Sequence, residues 1–287
     1  MRSYLKFSLF ALILTLAITG CEKEYEPIEK VDEQKIQSYI TSQKLSLTKD
    51  PSGIYYQIVN PGTGESPKNS EIVFFTYTAK TVDGKVYYDG NSYTTYANYL
   101  GYVKPEGWRL ALQEIKKGGK IRVVFPSTLG FGRNGSGLIG GNEVLDSELE
   151  LFDVKSQPEM EDIIINKFII NNSLSGFTKL PSGIYYKIII PGSGTDSVTI
   201  ASTVTVAFTG RLLSGTVFDS ATPEKAFTSR LQSLIGGWKE TVPLIKKGGK
   251  LRILIPSASG YGVSGSRAIL PNSILDFDIE LTDVKNL

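Results

Sequence analysis

The sequence predicts two tandem α+β domains. PSGIYY at 51–56 returns at 181–186, IKKGGK at 115–120 returns at 245–250, and DVK at 153–155 returns at 283–285. All three pairs lie 130 residues apart. That spacing exceeds the period of a solenoid, so each copy is long enough to bury its own core. Within each copy one short helical stretch sits among alternating strands, which is the α+β pattern.

The elements follow in the same order in both copies. Residues 31–42 and 161–172 occupy equivalent places, and EMEDIIINKFII (159–170) reads as a short helix packed on its own domain. Pro158 marks the junction between the domains. Strands are expected over 53–59 and 183–190, each followed by a PGTG or PGSG turn. Alternating strands over 72–81 and 203–213 come next, each ending at a glycine turn. A short helix is expected around Trp108 and Trp238. In the second copy Trp238, Val242 and Ile245 share one helical face, and Gly248 with Gly249 supplies the stop. Pro243 removes a backbone donor there, so that helix must be short or bent. Beyond it come a strand over 250–255, the loop PSASGYG and a last strand over 274–284. In that strand Leu275, Phe277, Ile279 and Leu281 alternate with Asp276, Asp278 and Glu280, burying one face and wetting the other.

Composition excludes several function classes. The 287 residues are 41% hydrophobic and 21% charged, the balance of a foldable globular chain. A net charge of +2 offers no cationic surface for nucleic acid. There is no histidine, which removes Ser-His-Asp and Cys-His triads and the commonest zinc sites. IKKGGK reads as a solvated turn after a helix. A carboxylate-based hydrolase would have only scattered Asp and Glu in strand-alternating positions behind it.

The N-terminus has the layout of a signal peptide over residues 1–20: Arg2 and Lys6 precede an apolar run from Phe7 to Ile18 that is short for a bilayer span. Its end, ITGC, resembles the bacterial lipobox. That resemblance implies cleavage before Cys21, acylation (palmitate) of Cys21, and a lipoprotein of the cell envelope, membrane-anchored at the outer membrane of a Gram-negative bacterium, with the periplasmic or surface face left open. Cys21 is the one cysteine of the chain, so no structural disulfide can form. The polar stretch EKEYEPIEKVDEQK that follows reads as a solvated tether, assigned to residues 21–30, ahead of domains over 31–157 and 158–287.

Four stretches of the second copy resemble the FKBP-type peptidyl-prolyl isomerases: VAFTGRLLSGTVFDS (206–220), LIGGW (234–238), IKKGGKLRILIPSASGYG (245–262) and ILPNSILDFDIEL (269–281). They fall in the family's order and spacing. The resemblance implies two tandem FKBP-like domains, each an antiparallel half-barrel sheet wrapped around one short helix. It also implies a rotamase acting on Xaa-Pro bonds of unfolded or extended polypeptides, with no cofactor. By that resemblance Trp238 is the pocket floor, and Phe208, Phe218, Ile235 and Phe277 are its walls. Tyr261 donates its hydroxyl to a substrate carbonyl, Asp219 is the polar group at the rim, and Leu234 with Ile269 lines the entrance. Of the two aromatics the family often carries before the helix, Phe227 fits and the other falls near Lys225. Read without the family pattern, Trp238, Phe208, Phe277 and Ile235 are residues any small core would use.

The duplication acts as an internal control. Trp238 aligns with Trp108 and Phe208 with Phe75, whereas Asp219 meets Tyr88, Tyr261 meets Phe131, Phe277 meets Ser147, and Leu234-Ile235 meets Lys104-Pro105. Losing a directed hydroxyl and a wall phenylalanine weakens desolvation of a substrate amide. The first domain is therefore expected to be degenerate, unless Asp89 restores the polar group. Two readings follow: an isomerase active in its second domain, or a non-catalytic peptide-binding or chaperone lipoprotein.

Overall fold

The computed structural model describes residues 25–88, 95–137, 139–267 and 269–286. The signal peptide, Cys21 and Asp89 lie outside the described residues. In the first unit the chain runs α1 (Ile28–Ser42), β1 (Thr48–Lys49), β2 (Tyr55–Asn60), β3 (Ile72–Tyr77), β4 (Ala79–Thr81), β5 (Val86–Tyr88), β6 (Thr95–Tyr99), α2 (Glu106–Gln113), β7 (Lys120–Phe125) and β8 (Leu145–Leu151). The second unit repeats the plan with α3 (Gln157–Asn171), β9 (Thr178–Lys179), β10 (Tyr185–Ile190), β11 (Thr203–Leu212), β12 (Val217–Ala221), β13 (Phe227–Arg230), α4 (Gly236–Thr241), β14 (Lys250–Ile255) and β15 (Leu275–Lys285).

Each unit is an antiparallel sheet with a short helix on its inner face. The second sheet runs β12-β11-β15-β14-β10-β9, with β13 paired to β11. The first runs β1-β2-β7-β8-β3-β6, with β4 joining β8 to β5. The strand expected over 72–81 is thus two pieces divided at Thr78, while β11 is continuous. Inward residues of β15 are buried and outward Asp278 and Glu280 are half-buried, the period of two read from sequence. Helices α2 and α4 press close to their sheets, because a Cβ at Gly107 or Gly237 would stand 2.4 Å from Phe125 or Ile255. Helix α4 ends at Thr241 and yields to a 3-10 turn, Val242–Leu244, as Pro243 requires.

A second helix covers the outer face of each sheet by the same contacts. In the first unit Ile36 and Tyr39 of α1 pack on Tyr55, Val124 and Val144. In the second, Ile165 and Phe168 of α3 pack on Tyr185, Leu254 and Ile274. The Tyr55 hydroxyl donates to Glu33, and the Tyr185 hydroxyl donates to Asp162 at 2.6 Å. Buried Asp32 accepts from the backbone and hydroxyl of Ser127 at 2.8 and 2.6 Å, and buried Glu161 does the same for Ser257 at 2.9 and 2.6 Å.

Two expectations are corrected here. Helix α1 begins at Ile28, so the end of the stretch assigned to a tether is folded. Pro27 precedes its first turn, where a missing N–H costs nothing. Helix α3 is not short and does not pack on its own domain alone: it spans 15 residues from an Ser156 N-cap, and its cluster takes in Phe74 and Phe152 of the first unit. Pro158 falls inside its first turn, so the helix itself joins the units.

Candidate active site

The second unit gathers an aromatic basin between β11, β15 and α4. Trp238, 4% exposed, lies on α4 with its ring centroid 5.2 Å from Phe208 and 5.4 Å from Phe277, both edge-on. Phe218 stands 5.5 Å from Phe277, again edge-on, and Phe227, half exposed, stands 6.1 Å from Phe208. Edge-to-face contacts of this kind set neighbouring rings steeply against one another. Leu234, Ile235 and Ile269 join the same cluster. The Trp238 indole N–H is buried and has no hydrogen-bond partner among the described residues.

Two polar groups stand at the rim. Tyr261 sits between two 3-10 turns, Ser257–Ser259 and Gly262–Ser264, with 36% of its surface exposed. Its hydroxyl pKa is raised, first by burial and then by the charge of Asp219, so the phenol remains a hydrogen-bond donor at neutral pH. Asp219 is exposed on β12 and accepts the Ser220 N–H at 2.8 Å. A depression of about 450 Å³ lies beside β12, lined by Phe208 together with Ala207, Thr209, Ser220, Lys250 and Asp278. None of Tyr261, Trp238 or Phe277 lines it.

Sequence reasoning missed Gly210. A Cβ there would lie 2.5 Å from the Phe277 ring and 2.8 Å from the Phe218 ring, so the two walls meet only over a glycine. The signal was available as a pair of exchanges: strand register places Phe277 against Gly210, while β4 and β8 put Ala79 in the corresponding place beside Ser147.

The first unit fills the equivalent space with its own side chains. Register through Asp146 and Asp276 makes Tyr77, not Phe75, the counterpart of Phe208: Tyr77 pairs with Leu149 as Phe208 pairs with Ile279. Phe75 instead matches Val206. Tyr77 closes to 4.4 Å from Trp108, and Ser147 accepts the Trp108 indole N–H at 2.9 Å. Tyr87, where the second unit has Phe218, accepts the Gly140 N–H at 3.3 Å and ties down the rim loop. Tyr88 pairs with Ala79 as Asp219 pairs with Gly210. The loop before the helix also differs from the expected match. Val103 and Leu234 both cap a 3-10 turn by bonding back three residues, and Pro105 and Ile235 both precede their helices. Lys104 is therefore an inserted residue, and Val103, not Lys104, stands for Leu234.

The family model of the FKBP-type peptidyl-prolyl cis-trans isomerases matches residues 63–152 and again 194–282. The chain belongs to that family, in two copies. A relative in Buchnera aphidicola, named FKBP-type peptidyl-prolyl cis-trans isomerase FkpA, is 40% identical over 132 residues, 45% of this chain and 52% of the relative. The macrophage infectivity potentiator of Trypanosoma cruzi is 41% identical over 110 residues, 38% of this chain and 56% of the relative. The crystal structure of FkpA from Escherichia coli aligns over 45% of this chain and 59% of that one, at 34% identity and a TM-score of 0.40. The match thus spans about half the length of these relatives.

Proposed function

We propose that this FKBP-family protein is a peptidyl-prolyl cis-trans isomerase whose turnover resides in its second unit, residues 158–287. Its substrates are Xaa-Pro bonds of unfolded or extended envelope polypeptides. The observation that carries this reading is the difference between the two basins: the second is walled by upright rings with Tyr261 and Asp219 at its rim, and the first is occupied by Tyr77 and Ser147.

The chemistry asks for little more. Amide resonance sets a rotation barrier of ~18–20 kcal/mol, and it places charge on the carbonyl oxygen that water stabilises. An aromatic basin strips that water from the planar amide, while the twisted amide, with less charge separation, loses less. Trp238 receives the proline ring, Phe208, Phe218 and Phe277 exclude solvent, and Tyr261 donates to a substrate carbonyl that holds the chain in register. Asp219 adds a fixed negative field at the rim. Each ~1.4 kcal/mol gained in the twisted state is a factor of ten in rate.

The first unit, residues 31–157, serves in this reading as a holding or spacing module. Cleavage after residue 20 and acylation of Cys21 anchor the whole to the envelope membrane, through a tether shorter than the sequence alone indicates. A Cys21→Ala variant is expected in the soluble fraction; its continued recovery with membranes contradicts the anchor.

The direct test is a protease-free cis-trans exchange measurement on a short Xaa-Pro peptide with the full chain and its Asp219→Ala variant. Acceleration that weakens in the variant is the expected result. A folded chain that gives no acceleration moves the protein to a non-catalytic peptide-binding role.

A further inference from the structure

The loop that carries Tyr261 and Ile269 leaves β14 at Pro256 and enters β15 at Leu275, and it is held at both ends from outside the basin. At its start, Glu161 of α3 accepts the Ser257 backbone N–H at 2.9 Å and its hydroxyl at 2.6 Å. At its far end, the Asn272 carbonyl accepts the hydroxyl of Thr95 at 3.1 Å, and Thr95 belongs to β6 of the first unit. One side chain ties the two ends together. The Gln157 amide, on the first turn of α3, donates to the Thr95 hydroxyl at 3.1 Å and to Glu161 at 2.8 Å. Gln157 spends its two N–H groups, and Thr95 accepts one bond and donates one, while the Gln157 amide oxygen is buried with no partner among the described residues. Inside the loop, Asn272 donates to the Gly262 carbonyl at 2.9 Å, and Ser266 and Ile269 exchange backbone bonds at 2.9 and 2.6 Å. A displacement at either end is thereby passed to the residue after Tyr261.

The first unit keeps half of this arrangement. Asp32 holds Ser127 as Glu161 holds Ser257, but Ile28 stands where α3 has Gln157, and one Asp32 carboxylate oxygen is buried with no partner among the described residues. The scaffold contact is duplicated and the bridge is not. The bridge occurs in the unit whose tryptophan faces Phe208 and Phe277.

We propose that Gln157 and Thr95 are positioning residues for the second unit's site: the first unit, through them, clamps the Tyr261–Ile269 loop in the geometry that meets substrate. This rests on the isomerase reading for its kinetic consequence, though not for the clamp itself. Both residues are remote from the reacting amide and act by pre-organising the loop, which lowers the ordering cost of binding.

The test uses the full chain with Thr95→Val, Thr95→Ser and Gln157→Met, and two readouts. Amide hydrogen exchange of residues 260–273 should accelerate about tenfold in Thr95→Val and Gln157→Met, with residues 250–255 unchanged, since a lost bond of ordinary strength is worth a factor of that order. Thr95→Ser keeps the hydroxyl and should keep the protection. For an Xaa-Pro peptide, KM should rise about threefold to tenfold in the first two variants and stay put in Thr95→Ser. Unchanged loop protection in both Thr95→Val and Gln157→Met overturns the clamp. A loosened loop with KM unaltered overturns the positioning role. If the unaltered chain shows no turnover, the isomerase reading fails, and the exchange data alone then decide the clamp.

Discussion

The two units share a scaffold and differ in what faces the tryptophan. Around Trp238 stand phenylalanines, and its indole N–H has no partner among the described residues; around Trp108 stand two tyrosines beside Phe75, and a serine that accepts the same N–H. Outer helix, buried carboxylate, tyrosine latch and inner helix are repeated nearly residue for residue. Fold and chemistry are therefore separable here, because the groups that build the sheet lie on one set of positions and those that keep a basin open lie on another.

The scaffold half of that comparison breaks most heavily at the buried aspartates. Asp276 accepts from Arg252 at 2.9 and 2.7 Å and from Arg211 at 3.1 Å, as Asp146 accepts from Arg122 and from Tyr39. Asp276→Ala takes the hydrogen-bonded carboxylate from Arg252 while Arg211 keeps Asp278 at 2.6 Å, and should cost about 3–5 kcal/mol, read by urea unfolding. A cost near zero would mean the outer-face charges carry no stability.

Next in size is the exchange of Gly210 and Ala79. Gly210→Ala should cost about 1–3 kcal/mol through overpacking against Phe277 and Phe218 and should slow peptide exchange. The reverse, Ala79→Gly, should cost ~0.5–1 kcal/mol and create no activity. If it did create activity, the closed first basin would not be the reason for its silence. Ser147→Ala sharpens the same point by orphaning the buried Trp108 N–H, at a cost of about 1–3 kcal/mol in thermal or urea unfolding.

The smallest effect is a pH dependence. Burial raises the Glu161 pKa above 4.5, against the hydrogen bonds from Ser257 and Gln157 that lower it. The folded state then holds this proton more tightly than the unfolded chain does. The stability that the proton supplies is full below the unfolded pKa and lost as pH rises through the folded one. Glu161→Gln removes that dependence, so the variant should gain on the unaltered chain as pH is raised from about 4 to 7, measured by urea unfolding at each pH.

Much of this was legible in sequence because the chain repeats itself. The strands, the helix stop at Gly248, whose φ is 82°, and the unequal pair Phe277 and Ser147 all follow from aligning the copies. The mispairing of Phe208 with Phe75 had a physical cause: Phe75 and Tyr77 lie two apart on one strand face, so alternation could not choose between them. Only the β-ladder register does, together with the insertion of Lys104. Gly210 was invisible for a related reason, since its role depends on a ring from the neighbouring strand. The Thr95–Gln157 contact joins residues 62 apart across the two units, and no local pattern announces it.

The central claim is that turnover resides in the second basin. It is tested most directly by giving that basin the rim of the first, with the double change Asp219→Tyr and Tyr261→Phe in the full chain, and measuring cis-trans exchange on an Xaa-Pro peptide. Both positions are solvent-facing, so the fold should survive. The account predicts a rate lowered about tenfold or more, the worth of a lost directed hydrogen bond and its neighbouring charge. An undiminished rate from the folded variant would contradict it and return the activity to the first unit or to another surface.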